Sequence, residues 1–459
     1  MFEHTKKMFF CFLIVLLVFP GLGCKGLSTE QQQAIRPVTL DYWTVYNDVT
    51  QLQTLAGEYK KVRPYVTINI RQVRFEEFED LFVNALADDV APDIISIPAE
   101  EVKKYQTRLS PMPSSVVVSR VYEQGTYQKE TVVEQYSEIM PTVREIQNNF
   151  VATVSDDAII NGKVYGLPIS FDTLALYYNR SLLDLSGVPQ PPTTWIEFMD
   201  AVKQSTRIDA NGNVIQSGVA LGTSSNISNA PDMLALLMMQ NRLGVAHGSS
   251  VDFARGVDKI TSNHPAIEAL RFYTDFARSE KEVYSWNNTL EKSLDSFVRG
   301  KSVFYFGYAR ENITIQSRAK SLNIEILPVP QLNPSTPANV ASYWVESVVE
   351  KSAYKDLAWD FVRFITTERN IRTYTGATKL PSPLRAHVTP YADDEAMAPF
   401  MSQVLFAKTW YNGRDVTVAN ETMANLVEDY LKPYTDGQKP LERDAKLLTY
   451  AARIIQQTK

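Results

Sequence analysis

The chain has 459 residues, of which 44% are hydrophobic and 21% charged, with a formal net charge of −6. That length exceeds what one hydrophobic core supports, so two domains are expected, and the mildly acidic balance argues against a nucleic-acid partner. Both cysteines, Cys11 and Cys24, fall near the N-terminus, which leaves the body without a disulfide or a thiol nucleophile.

Residues 1–23 read as an export signal: Lys6 and Lys7 give a basic start, 8–19 are apolar, and Pro20-Gly21 breaks the run. About a dozen apolar residues fall short of the ~20 that span a bilayer. Residues 24–36 are mostly polar and read as a tether. A strand is expected at 38–43. A helix follows at 51–63, with Leu52, Leu55, Ala56, Tyr59 and Val62 on one face, stopped by Pro64. A strand at 66–71, a helix at 75–87 (Phe75, Phe78, Leu81, Phe82 and Ala85 on its stripe) and a buried strand at 93–97 complete a β-α-β-α-β pattern. Such a pattern builds a parallel sheet covered by helices, with ligands beyond the carboxyl ends of the strands. Those ends put Trp43 to Tyr46, and Pro98 to Glu100, at a rim.

Pro111, Met112 and Pro113 precede a segment read as a helix. Asn161-Gly162 is a hairpin turn, because both residues tolerate positive φ. Short strands are expected at 164–168 and 174–178, joined by the polar crossing 170–173. Asn179 and Ser181 are helix-cap types, and Gly187 ends the short helix they start. Thr194 caps a helix beginning at Trp195, with Glu197 and Asp200 in its first turns. Asp209 to Asn213 reads as a turn between a helix and a strand at 218–221. Helices are expected at 231–243 and 265–278, a buried strand at 303–306, and another at 322–326 closed by Pro328 and Pro330.

Several of these pieces, in this order, resemble the extracellular solute-binding proteins of sugar ABC importers, the maltose-binding-protein-like group. They are Gly166-Leu167-Pro168, Tyr178-Asn179, Pro191-Pro192 and Thr194-Trp195-Ile196-Glu197-Phe198. Phe297-Val298-Arg299-Gly300-Lys301, Ile326-Leu327-Pro328-Val329-Pro330, the 358–366 helix and Leu380-Pro381 continue the likeness. It covers roughly 38–385. Two motifs depart: Tyr308-Ala309-Arg310 stands for the family's Gly-Pro-Trp, and Ser342-Tyr343-Trp344 for its Gly-rich return. Gly21-Leu22-Gly23-Cys24 resembles a bacterial lipobox with Gly21 where Leu is usual.

No catalytic or metal constellation emerges from the residues themselves. His247, His264 and His387 are not spaced as ligands. Gly300-Lys301-Ser302 lacks a phosphate loop's first glycine, since Asp295 occupies that place. Asp209 to Asn213 lacks the EF-hand glycine, since Val214 occupies it. His247 with Ser249 and Ser250 has no nucleophile elbow around it. Asp88-Asp89 and Asp393-Asp394 read as solvated faces. Trp195 and Trp359 read as packing, whereas Trp43, Trp344 and Trp410 fall in or beside polar loops where two domains should meet.

The resemblance implies an α/β, two-domain periplasmic-binding-protein-like fold (type II), each domain a sheet flanked by helices, with a hinge and an interdomain cleft. Domain I is expected at 37–171 and 345–405, domain II at 172–344 and 406–459. It further implies a non-enzymatic protein without cofactor or metal that captures a mono- or oligosaccharide and works with ABC permease subunits. The protein is expected to be monomeric and lipid-anchored through Cys24 outside the cytoplasmic membrane. A sugar site needs flat aromatics for ring faces and polar groups for hydroxyls. By resemblance Glu100 accepts hydroxyls, Asp172 does the same from the crossing, Arg310 replaces a stacking Trp, and Trp410 stacks. Trp43, Tyr46, Tyr308, Tyr343 and Trp344 complete the expected lining. Two rivals stand beside this reading. One is an exported hydrolase using Glu100 and Asp172. The other is a surface interaction protein that kept the fold and lost the ligand.

Overall fold

In the computed structural model, residues 27–126, 129–259, 264–389 and 394–459 are described. The leader, Cys11 and Cys24 lie outside them. Where composition suggests a polar tether, Thr29–Ala34 is a short helix with Ser28 and Gln31 in a capping box. Among the described residues no helix is long and apolar enough to cross a membrane.

Strands β1 (Val38–Thr44) and β2 (Val66–Gln72) pair in parallel from Val38 opposite Val66 to Thr44 opposite Gln72. The Val49–Val62 helix joins them. Asp48 caps it and Leu52, Leu55 and Tyr59 are its buried face. The Phe75–Ala87 helix buries Phe78, Phe82 and Ala85. Phe75, placed on that stripe by periodicity, is instead 46% exposed, with its ring against Tyr46 and Trp344 rather than in the core. Strand β3 (Ile94–Pro98) is buried along its whole length, and β4 (Leu109–Ser110) follows.

After Pro113 the chain departs from the helix expected there. It forms β5 (Ser115–Gln124) and β6 (Glu130–Ile139), an antiparallel ribbon paired from Ser115–Ile139 to Gln124–Glu130. Val116, Val117, Val118, Thr131, Val132 and Val133 are β-branched and favour extended backbone, with alternate residues inward. Strands β7 (Ile159–Ile160) and β8 (Lys163–Val164) form the expected small hairpin, with φ of 51° at Asn161 and 74° at Gly162.

Strand β9 (Leu174–Asn179) is wholly buried. The Trp195–Ser205 helix starts with a capping box of Thr194 and Glu197. Asp209 to Asn213 is the turn of an edge hairpin, β10 (Arg207–Ile208) with β11 (Val214–Val219), rather than a helix-to-strand link. Asp209 Oδ1 holds that turn by accepting the Asn211 and Asn213 N–H groups, each at 2.8 Å. The Ala230–Gln240 helix, β12 (Ser302–Tyr308) and β13 (Ile324–Pro328) follow.

Strand β14 (Asn339–Val340) leads to β15 (Trp344–Val349), and β16 (Ala407–Lys408) comes after the Lys355–Ile365 helix. One sheet has the order β2-β1-β3-β15-β4, the other β10-β11-β12-β9-β13. Neither is wholly parallel. β15 returns antiparallel to β3, and β9 runs antiparallel to β12 and β13.

Each sheet has its own core. Leu40, Tyr42, Phe82, Ile97, Val345 and Trp359 belong to the first. Leu176, Trp195, Phe198, Leu237, Phe304 and Leu448 belong to the second. Trp195 and Trp359 are packing residues, at 3% and 0% exposure. Three segments pass between the two cores side by side. Thr173 bridges Ala341, β14 pairs with β16 in parallel, and the Ser342 N–H donates to the Asp172 carbonyl at 3.0 Å.

Candidate functional site

The carboxyl ends of β1 and β3 present an aromatic group to the seam between the cores. Tyr46 follows β1, Phe75 opens its helix, and Trp344 opens β15, where it pairs with Pro98. The Trp344 ring meets Tyr46 edge-on at 5.1 Å and Phe75 at 6.3 Å, and Tyr46 lies 6.1 Å from Phe75. Tyr46 is 55% exposed, so this cluster is an open apolar surface.

Glu100 lies in the turn directly after β3. Among the described residues no hydrogen bond or ion pair reaches its carboxylate. Burial pushes that carboxyl well above the usual range, repulsion from Asp232, Glu101 and Asp157 adds to the effect, and Arg310 offsets part of it. A partly buried carboxyl without a protein partner can accept from, or when protonated donate to, a hydroxyl group.

The second domain supplies the facing wall. Tyr308, the last residue of β12, donates its hydroxyl to Asp232 Oδ2 at 2.7 Å. Trp410 donates Nε1–H to Asp232 Oδ1 at 2.8 Å. One carboxylate, in the first turn of the Ala230–Gln240 helix, therefore fixes two rings. Burial raises its pKa, and the two hydrogen bonds oppose that shift. The Arg310 guanidinium lies 4.0 Å over the Tyr308 ring and 3.5 Å from Asp172 Oδ2. About a third of its side chain is exposed (35%), and its charge acts on both Tyr46 and Glu100.

Asp172 lies in the first crossing and is 5% exposed. Its Oδ1 accepts the Thr173 and Ala309 N–H groups at 2.9 and 2.8 Å, and its Oδ2 accepts the Arg310 N–H at 3.0 Å. It thus holds the start of the Ala309–Arg318 helix and steadies Arg310. Burial lifts its carboxyl to about 6 against the pull of Arg310 and the three N–H groups. Its acceptor positions are occupied, unlike those of Glu100.

The other expected residues fall behind the surface. Tyr343 is buried, packs its ring tilted against Phe171 at 4.7 Å, and donates to Asp157 Oδ2 at 2.8 Å. Trp43 is 8% exposed and sits under Arg71, whose guanidinium is 4.9 Å from its ring. The structure therefore brings Tyr46, Trp344, Glu100 and Arg310 to one seam, with Tyr308, Trp410 and Asp172 supporting it and Trp43 and Tyr343 in the interior.

Sequence reasoning missed Phe75, Asp232 and Asp157. Asp232 left a signal, since it is a lone carboxylate beside the apolar run Met233 to Met239. Asp157 left none. Its carboxylate accepts from Tyr343 and Thr409 and meets His247 Nε2 across the seam at 3.2 Å. Among the described residues no three His, Cys, Asp or Glu side chains are grouped to hold a metal ion.

A putative binding protein of Brucella abortus is 38% identical over 60 residues, which is 13% of this chain and 15% of that relative's length. The melibiose/raffinose/stachyose-binding protein MelE of Bacillus subtilis is 21% identical across 97% of both chains. The cyclic alpha-maltosyl-1,6-maltose binding protein from Arthrobacter globiformis has the same fold. Its TM-score is 0.70 at 16% identity, covering 92% of this chain and 100% of that one. The family model of the bacterial extracellular solute-binding proteins matches residues 66–399. With most of the chain inside that match and two cores joined by three crossings, the chain belongs to the bacterial extracellular solute-binding protein family.

Proposed function

We propose that the protein captures a mono- or oligosaccharide in the seam between its domains and delivers it to the permease of an ABC importer. In this reading 37–171 with 345–405 form one lobe and 172–344 with 406–459 the other. The lobes close about the three crossings, and Cys24 carries a lipid that holds the protein outside the cytoplasmic membrane. The observation that carries the reading is the pairing of unlike walls. An open aromatic surface of Tyr46, Phe75 and Trp344 shares a seam with the unpartnered Glu100 carboxylate and the stacked Arg310. Sugar rings present apolar C–H faces and hydroxyl edges, which such walls match. The names of MelE and of the Arthrobacter protein, both saccharide binders, support the same ligand class.

The hydrolase reading is weaker. A glycosidase needs two carboxyl groups free to act on the bond, and Asp172 is engaged by three N–H groups and Arg310. The deciding experiment is mass spectrometry of small molecules that co-purify with the protein, followed by calorimetry with those saccharides and an assay for new reducing ends. Saccharide binding without new ends supports the proposal. New reducing ends, or no saccharide binding at all, contradict it.

A further inference from the structure

Two lysines from opposite domains converge on a single neutral oxygen. Asn412 Oδ1 accepts from Lys459 Nζ at 2.8 Å, from Lys103 Nζ at 3.4 Å and from the Gly248 N–H at 3.0 Å. Lys103 also reaches the Gly248 carbonyl at 3.5 Å. Lys459 donates to the carbonyls of Ala246 and, at 3.3 Å, Asn412. Lys103 belongs to the short helix three residues on from Glu100, beside the first core. Ala246 and the Tyr411 ring under Lys459 belong to the second core.

Both ammonium groups are partly buried, and among the described residues neither has a carboxylate in ion-pairing contact. For Lys103 the attraction of Asp157 exceeds the repulsion of Arg414, whereas for Lys459 the repulsion of Lys103 exceeds the attraction of Asp157. Arg414 repels Lys103, and Lys103 repels Lys459. Asp157 attracts both, yet it is held by Tyr343, Thr409 and His247. Burial lowers the Lys103 pKa and brings that of Lys459 down to about 7. Both lysines are partly buried and meet only neutral oxygens, whereas a two-oxygen anion would match their charge.

We propose that Lys103 and Lys459 form an oxyanion site at the seam, where a sulfate, phosphate or carboxylate group links the two domains. The group is either a free anion or one carried by the solute. The site does not depend on the solute being a saccharide.

Sulfate is the direct probe, since its charge is constant near neutral pH. Titrated into the full chain at ionic strength matched with sodium chloride, it should bind saturably by calorimetry and raise the melting temperature. Binding should weaken as pH rises through about 7, where Lys459 loses its proton. Lys103→Gln and Lys459→Gln should each weaken it by roughly tenfold to a hundredfold. Lys459→Arg should keep most of the affinity, which separates lost charge from lost folding. A neutral sugar should bind Lys459→Gln as it binds the parent protein, which keeps this test distinct from that of the cleft. Glucose 1-phosphate identifies the source. If it binds through both lysines while sulfate does not, the anion belongs to the solute. If neither binds beyond the chloride control, or if both Gln variants bind like the parent, the proposal is overturned.

Discussion

Replacing Asp172 by alanine should separate support from contact. The carboxylate accepts three backbone N–H groups, two of them at the start of the Ala309–Arg318 helix, and faces Arg310 at 3.5 Å. A buried donor left without an acceptor costs about 1–3 kcal/mol, and loss of a helix cap typically costs about 1 kcal/mol. These overlap at one helix end, where water can reach some donors, so we expect about 3 kcal/mol in all. That is a large share of the ~5–15 kcal/mol that stabilises a domain. Urea unfolding at pH 8 measures it, with the carboxyl, held at about 6, ionised. Calorimetry on the same variant should show weaker binding, because Arg310 loses its partner. Asp172→Asn keeps one acceptor oxygen and should fall between. If Asp172→Ala unfolds with the parent and only loses binding, the carboxylate contacts solute directly and its assignment as a support is wrong.

Other expectations follow from single contacts. Glu346 is buried, accepts from Tyr42, Asn47 and Ser96, and has its carboxyl raised from 4.5 to about 7 by burial. A carboxyl with a raised folded pKa holds its proton more tightly in the folded state. Its contribution is therefore present at low pH and lost as pH climbs from about 4.5 to about 7, a change of roughly 3 kcal/mol. Glu346→Gln should flatten that part of the stability–pH curve, and an unaltered curve would count against it. Trp344→Ala should weaken saccharide binding roughly threefold to tenfold by calorimetry with the melting temperature nearly unchanged, since aromatic contacts contribute ~0.5–1.5 kcal/mol beyond area. A large fall in melting temperature instead would place Trp344 in the core. Cys24→Ser should move the protein from the membrane fraction to the soluble fraction in its host, where two fractions of unchanged size would argue against a lipid on Cys24.

What the sequence shows depends on how far apart the interacting residues are. The Thr194–Glu197 capping box, the Asn161-Gly162 turn and the buried faces of the first two helices are local matters of three or four residues, and they are legible. The β5–β6 ribbon is hidden because prolines ahead of a polar-apolar mixture also suit a helix start, while its runs of β-branched residues favour strand. Phe75 obeys helical period yet escapes the core, because its ring meets Tyr46 and Trp344, 29 and 269 residues away in sequence. Glu100 and Arg310 could be placed at the seam by resemblance. Their states could not. Arg310 is tethered by Asp172, 138 residues away, and Tyr308 and Trp410 meet at Asp232 across 76 and 178 residues. Such partners leave no spacing to read. For the same reason Trp43, near a strand end and open by sequence, is covered by Arg71 from the neighbouring strand.

The central claim is closure of two lobes over a solute, and small-angle scattering with and without the co-purifying saccharide tests it most directly. A ligand that contacts both lobes shifts the population toward the closed form by its differential affinity. The account predicts a smaller radius of gyration at saturation, with the shift reduced in Trp344→Ala at the same ligand concentration. An unchanged radius of gyration at saturating ligand would contradict it.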